Sequence, residues 1–406
     1  MTAAPAASTA GPLPVIGPFV PWLPSPVLPE PAAAEGLAGA RVAVKDVIDL
    51  AGAPTGNGHP LLLAEAGSAA RHASCVTRLL DAGGVIAGKA HTDELAYSLG
   101  GTNAHYGAPA NPAAPGRLTG GSSSGTAAAV AGRLADIGLG TDTAGSIRVP
   151  ASYCGLYGLR PTHARADRTG ISPLAPSFDT PGLLTRTLPL LRDAAAALLA
   201  GTEPDDRAPR RLLAPADLWS LAAPDVRAAL SPALGRLADG LGLEPDRAAL
   251  FDDRAPFPHA VARDAFTTVQ AAEVWRAHGP WIVRARPAFG PNVTARLRTA
   301  RTVGREREQA ARARATAVAH WLGARLDGAV LAIPATPTPA PAYGRAGAGV
   351  REALLGLTCP AGLGGLPALT VPGPRAGGLP VGLCLLAAPG GDERLLAAAV
   401  FAEAVS

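Results

Sequence analysis

Aromatic residues are scarce in this chain: Phe, Trp and Tyr together make up 4% of its 406 residues. So sparse a set leaves few rings for nucleobases to stack on. The formal charge of +4, from 36 Lys and Arg against 32 Asp and Glu, is likewise too small for a nucleic-acid footprint. Cysteine is scarcer still. Cys75, Cys154, Cys359 and Cys384 lie far apart, form no CxxC pair and have no histidine at zinc-ligand spacing. Neither a disulfide framework nor a metal site is expected, and reduced thiols in a cytoplasmic protein fit best. Long apolar runs are missing too, because Gly, Pro, Arg or Asp breaks each one before it could cross a bilayer. No basic residue precedes the first apolar stretch, which Pro interrupts repeatedly, so the N-terminus is not expected to be a signal peptide.

What is abundant is core material. With 48% hydrophobic and 17% charged residues, the chain can bury a large interior in one or two domains. Residues 1–35 are rich in Pro and Ala and are expected to wrap over the surface or stay partly disordered. Beyond them, short apolar strands alternate with helical stretches. Arg41-Val-Ala-Val-Lys-Asp-Val-Ile reads as a strand, 52–60 as turn chemistry, 74–82 as a helix and 85–88 as a second strand. A Gly- and Ser-rich stretch at 118–126 runs into an Ala-rich helix at 127–133 and a strand at 136–140. That alternation is of an α/β core. Residues 188–325 turn helical, with the longest candidate at 292–326 carrying Arg296, Arg298, Arg301, Arg305, Arg307, Arg312 and Arg314. This row reads as a solvated helix face rather than a nucleic-acid patch. Strands return at 329–333, 366–371 and 381–386 before a closing helix at 393–404, so the chain is expected to close onto one sheet as a single domain.

Polar chemistry concentrates in three places. Gly120-Gly-Ser-Ser-Ser-Gly-Thr lacks the Lys of a phosphate-binding P-loop, and its serines are placed to cap the helix that follows. Twenty-four residues after Ser122 comes Thr141-Asp-Thr-Ala-Gly-Ser-Ile-Arg-Val-Pro, a loop leaving a strand. The backbone N–H groups of Thr143, Ala144, Gly145 and Ser146 could converge on an oxyanion, as acyl transfer requires. Alternatively Ser146 is an ordinary N-cap ahead of Pro150. Lys45 sits among Val42, Val44, Val47 and Ile48. It either pairs with a carboxylate such as the adjacent Asp46, or is buried. Burial, and the like charge of Arg148 if it lies near, would make it a neutral general base.

Taken together, Lys45, Gly-Gly-Ser122-Ser123 and Asp142-Thr-Ala-Gly-Ser146-Ile-Arg148-Val-Pro-Ala-Ser resemble the amidase signature family. Flanking stretches agree, among them Ala110-Asn-Pro, Gly155-Leu-Tyr-Gly-Leu-Arg-Pro-Thr, Asp179-Thr-Pro-Gly and Gly378-Leu-Pro-Val-Gly-Leu, so the likeness spans about residues 37–403. Within the family the chain is most similar to short amidases of the indole-3-acetamide hydrolase type, through Asp93-Glu-Leu-Ala-Tyr-Ser, Asn103-Ala-His-Tyr-Gly and Pro150-Ala-Ser-Tyr-Cys-Gly. The resemblance implies an α/β fold in which residues 36–406 form a mixed central β-sheet covered by helices on both faces. It implies a Ser-Ser-Lys triad: Ser146 attacks the amide carbonyl, and Ser122, on a cis peptide bond, relays its proton to Lys45. Ser123, Asp142 and Arg148 match supporting positions, residues 143–146 match the oxyanion hole, and no metal or organic cofactor is required. One departure is Ala144, where the family usually has Gly and where a methyl could restrict the backbone.

By position, Tyr97, Ser98, Leu99, Thr358 and Cys359 are candidate walls of the substrate pocket. His59, His91 and His105 lie outside any nucleophile-elbow context and are read as structural. The implied activity is hydrolysis of a small-molecule amide to acid and ammonia or amine, with a small or aromatic primary amide such as indole-3-acetamide as substrate. The alternatives are a urea or carbamate hydrolase on the same fold, a non-catalytic scaffold, or a glutamine-hydrolysing protein of the transamidase type. Oligomeric state is not encoded in these motifs, and a homodimer is one arrangement open to the chain.

Overall fold

The structure, a computed structural model, describes residues 13–22, 37–199, 207–344 and 348–403. Its strands are short apolar runs: β1 (Val15–Ile16), β2 (Arg41–Lys45), β3 (Val85–Ala90), β4 (Ala108–Pro109), β5 (Ile137–Thr141), β6 (Tyr157–Arg160), β7 (Pro181–Thr185), β8 (Arg211–Leu213), β9 (Pro245–Asp246), β10 (Ala329–Pro334), β11 (Ala368–Pro372) and β12 (Gly382–Leu386). Ten of them form one sheet in the order β3-β2-β5-β7-β6-β11-β12-β10-β8-β9. Both of its ends are parallel, β3-β2-β5 and β10-β8-β9, and the strands between pair antiparallel.

Alternation along the strands assigns the two faces. Val42 and Val44 of β2 and Leu183 of β7 join one apolar cluster, which takes in Leu188, Leu191 and Leu198 of the helix Leu188–Leu198. Ala43 and Leu184, their immediate neighbours in sequence, join another with Ala127, Val130, Ile147 and Ala151. Helices therefore cover both faces of a mixed sheet, the expected α/β architecture. Small residues let the helix Ser124–Ala131 lie close to the sheet: a Cβ added at Gly138 of β5 would sit 2.7 Å from Thr126 Cγ2. Of the segment read over 1–35, residues 13–22 lie against this body, with β1 parallel to β4 and the Val20 N–H donating to the Lys89 carbonyl, and the rest falls outside the described residues.

Three local expectations change. The helix read over 292–326 is two helices, Pro291–Arg301 and Arg305–Leu326, because the chain leaves helical geometry at Gly304, the N-cap of the second. The longest helix described is instead His259–Ala285. A helix at Ala348–Leu363, interrupted in sequence by Pro360 and several glycines, has no counterpart among the elements expected from sequence.

Candidate active site

Lys45 is the last residue of β2 and Thr141 the last of β5, so the two side chains meet at the carboxyl ends of adjacent parallel strands. Lys45 Nζ lies 2.8 Å from Thr141 Oγ1 and 2.8 Å from Ser122 Oγ. No part of Lys45 or Ser122 is exposed. Burial lowers the Lys45 ammonium to a pKa of about 7, against the opposing pull of the Asp93, Asp142 and Asp179 carboxylates. Arg148, whose guanidinium pairs with Asp142 at 2.8 Å, is not among the main causes of this shift. The adjacent Asp46 does not pair with Lys45 either: its carboxylate turns to Lys89 Nζ, 3.1 Å away.

Ser122 follows a cis Gly121–Ser122 peptide bond, and its carbonyl accepts from Thr92 Oγ1 at 2.9 Å. Ser123 occupies the N-cap of the helix Ser124–Ala131 without bonding its side chain to the helix. Its Oγ donates to the Thr141 carbonyl and its N–H to the Ser146 carbonyl, both at 3.4 Å. The serines expected to cap the helix thus tie together the two loops that carry Ser122 and Ser146. Ser146 is not a cap either, since Ile147 holds that position for the helix Arg148–Cys154.

Asp142 shapes the Ser146 loop. Its carboxylate accepts from the N–H groups of Gly145 (2.9 Å) and Ile147 (3.2 Å), from Arg148 Nε (3.0 Å) and Nη2 (2.8 Å), and from Arg160 Nη1 (3.3 Å). Burial alone would raise its pKa, yet Arg148, Arg160 and the backbone donors hold it well below the usual carboxylate range. One expectation is corrected here: the Gly145 N–H is spent on Asp142 and is not free for an oxyanion. Among the described residues no protein acceptor takes the N–H groups of Thr143, Ala144 or Ser146, leaving three unsatisfied donors on one loop. Ala144 is not among the residues of positive φ, so its methyl meets no backbone restriction there. Gly145 at φ +119° is where the loop requires glycine, and a Cβ would lie 2.8 Å from Thr358 Cγ2.

The pocket candidates separate. Ser98 and Leu99 line a cavity of about 290 Å³ with Gly100, Leu118, Tyr153, Arg296, Arg351 and Leu354. Tyr97 lines a neighbouring one of about 300 Å³ that shares Ala295, Arg296 and Arg351. Thr358 and Cys359 line neither. Thr358 braces the Ser146 loop from behind, its Oγ1 donating to the Ala144 carbonyl at 2.6 Å and its own carbonyl accepting from Arg148 Nη1 at 2.8 Å. Cys359 is a fully buried core residue whose thiol is pushed up to about 12 by burial. A crevice of about 10 Å³, roughly one water, opens beside Thr141, Thr143 and Asp179 and shares Arg168 and Ser172 with an open depression of about 510 Å³.

Several functional residues were not singled out from sequence. Thr141 contacts Lys45, Asp179 accepts from Thr143 Oγ1 at 2.6 Å, and burial raises Asp93 to about 6. Each lies inside a stretch that carried the resemblance, which was the available signal. His59 and His105 both bond the Ala288 carbonyl at 3.0 Å, and burial lowers His91 to about 4. Among the described residues no helix is long and apolar enough to cross a membrane.

Comparisons with known proteins bear on the family and the fold. The sequence model of the Amidase family matches residues 30–233. The chain is 34% identical to "Amidase 1" of Arabidopsis thaliana over 391 residues, covering 89% of this chain and 91% of that protein. It is 35% identical to "2-amino-5-chloromuconic acid deaminase" of Comamonas testosteroni over 400 residues, covering 91% and 82%. A solved structure described as "Crystal structure of amidase" superposes with a TM-score of 0.80 at 30% identity, covering 90% of this chain and 84% of that one.

Proposed function

Because the chain belongs to the amidase signature family and is an amide-hydrolysing enzyme, we propose that it cleaves a small primary amide through an acyl-enzyme on Ser146. The observation that carries the assignment is the buried Lys45 amine, held near neutrality and 2.8 Å from Ser122 Oγ. Ser146 Oγ attacks the carbonyl carbon, its proton passing to Ser122 Oγ while the Ser122 proton passes to Lys45 Nζ. The N–H groups of Thr143, Ala144 and Ser146 receive the developing oxyanion. As the C–N bond breaks, the proton returns along the same relay to the nitrogen and ammonia leaves. Water then attacks the acyl ester with Lys45 again as base, releasing the carboxylic acid and restoring Ser146.

The walls beside Ser98 and Leu99 are largely apolar, which suits an aliphatic or aromatic acyl group. Indole-3-acetamide and related arylalkyl amides belong in the first substrates tried, by resemblance. The free, buried state of Cys75, Cys154, Cys359 and Cys384 supports a reducing, cytoplasmic setting. The test is a hydrolysis panel of aliphatic and aromatic primary amides, glutamine, ureas and carbamates, run with wild type and Ser146→Ala and paired with fluorophosphonate labelling. Turnover of primary amides with label on Ser146 is expected. Reaction of glutamine alone would move the enzyme to the transamidase class, and label on another serine would sink the nucleophile assignment.

A further inference from the structure

We propose that the acyl group of the substrate carries a carboxylate, bound in the cavity beside Ser98 and Leu99 by the guanidinium groups of Arg296 and Arg351. This rests on the amidase reading of Ser146 and narrows it. Arg296 lies in the arginine row that the sequence suggested to be a solvated face, yet it turns inward. The helix Pro291–Arg301 presents Asn292, Ala295 and Arg296 to the cavity, and the helix Ala348–Leu363 presents Val350, Arg351 and Leu354. The spacing of three and four puts each set on one helix face.

Two half-buried cations thus share a wall that is otherwise mostly apolar, and neither touches a carboxylate, Asp93 and Glu94 acting on Arg296 only from a distance. Nε and Nη2 of Arg296 are buried without a hydrogen-bond partner, and its guanidinium lies 5.2 Å from the centre of the Tyr97 ring. Among the described residues neither Arg296 nor Arg351 makes a hydrogen bond or an ion pair. Elsewhere the fold answers deeply buried guanidiniums with carboxylate, as Asp142 does for Arg148 and Arg160. Burial, with the like charge of Arg296, lowers Arg351 to about 10, which leaves it charged at neutral pH, and burial lowers Arg296 against the opposing pull of Tyr97, Asp93 and Glu94. A half-buried cation with no carboxylate in contact is costly, and a bound carboxylate, whose two oxygens match the guanidinium fork, offsets that cost.

The cavity is also tied to the reacting loops. The Leu99 carbonyl accepts from the Gly121 N–H at 3.0 Å, one residue before Ser122. On the opposite wall, the Leu354 carbonyl (2.9 Å) and, beyond it, the Ala144 carbonyl (2.6 Å) of the Ser146 loop both lie within hydrogen-bond reach of Thr358 Oγ1, whose single proton serves one of them at a time. A primary amide loses only ammonia as its leaving group, so any charge read by the arginines belongs to the acyl side. The reaction is then amide plus water to a dicarboxylate plus ammonium. A neutral amide such as indole-3-acetamide would fill the same walls but leave both cations unanswered.

The experiment compares kcat/KM within pairs that differ in the distal charge: adipamate against hexanamide, and 4-carbamoylbenzoate against 4-methylbenzamide. Wild type is expected to favour the anionic member of at least one pair by about tenfold to a hundredfold, the scale of a hydrogen bond to a charged group. That ratio falls toward one in Arg296→Leu and Arg351→Leu and is partly kept in the Lys variants, which also serve if a Leu variant fails to fold. Calorimetric titration with adipate and terephthalate is the second measurement. The diacids should bind wild type and not the double Leu variant. A ratio at or below one in both pairs, or one that persists in the double variant, overturns the proposal, as does absence of diacid binding. If no amide of either kind is hydrolysed and Ser146 resists labelling, the amidase reading itself fails, and diacid binding alone then decides whether the arginines form an anion site.

Discussion

The sharpest consequence of the geometry concerns the proton state of Lys45. At a pKa of about 7, the amine is neutral in about one-tenth of molecules at pH 6, one-half at pH 7 and nine-tenths at pH 8. An unshifted amine at 10.5 would be neutral in only about one molecule in three thousand at pH 7. With the neutral amine as the proposed base, acylation should therefore rise about tenfold between pH 6 and pH 8 and then level off as its fraction saturates. Lys45→Ala removes this limb and lowers the acylation rate by about a hundredfold or more, the scale of general-base catalysis. Asp93 sharpens the test. Its carboxylate is the largest of the charges that hold the Lys45 proton on. Asp93→Asn deletes that pull, so the midpoint of the limb should move to lower pH. The assay is a pre-steady-state pH series from 5.5 to 10.5 on wild type and both variants. A wild-type midpoint near 10, or a limb that survives unchanged in Lys45→Ala, would show that Lys45 is a buried structural cation and that another group is the base.

Other outcomes follow from the loops around it. Ser122→Ala should slow acylation less than Lys45→Ala, since a water can fill the hydroxyl's place in the relay; single-turnover rates of the two variants compare them. Gly145→Ala places a methyl 2.8 Å from Thr358 Cγ2 on a backbone of φ +119°, so the Ser146 loop, the proposed oxyanion loop, must shift. Its kcat should fall by about a hundredfold with KM changed much less, the signature of lost transition-state donors, and an equal loss in 1/KM would contradict this. Asp142→Asn leaves Arg148 and Arg160 without their counter-charge and should cost about 3–5 kcal/mol in urea unfolding. The Asp142 pKa is depressed in the fold, so its contribution is present above the unfolded value near 3.8 and is lost as pH falls toward the folded value. Stability should consequently depend less on pH below about 4 in the Asn variant than in wild type, and equal acid sensitivity would refute the assignment.

The sequence by itself determined the strands and the chemistry that recurs at fixed spacing. Short apolar runs bounded by Gly and Pro mark β2, β5 and β10 because strand periodicity and turn chemistry are local. The Gly-Ser stretch and the Ser146 loop declared themselves because the family resemblance rests on particular residue types there. The helix Ala348–Leu363 was not legible, since its glycines and Pro360 disfavour a helix on their own and tertiary packing supplies what propensity lacks. Nor could spacing show that Asp142 takes the Gly145 N–H, that Ser123 ties two loops instead of capping a helix, or that Asp46 turns to Lys89. Arg296 shows the limit most plainly. In sequence it is one of seven arginines on a polar row, and only the packing of two distant helices against residues 97–99 turns it inward beside Arg351. Backbone preferences and motif residues act over a few positions and can be read along the chain. Burial and the pairing of charges depend on which segments meet in space, and only the tertiary structure decides that.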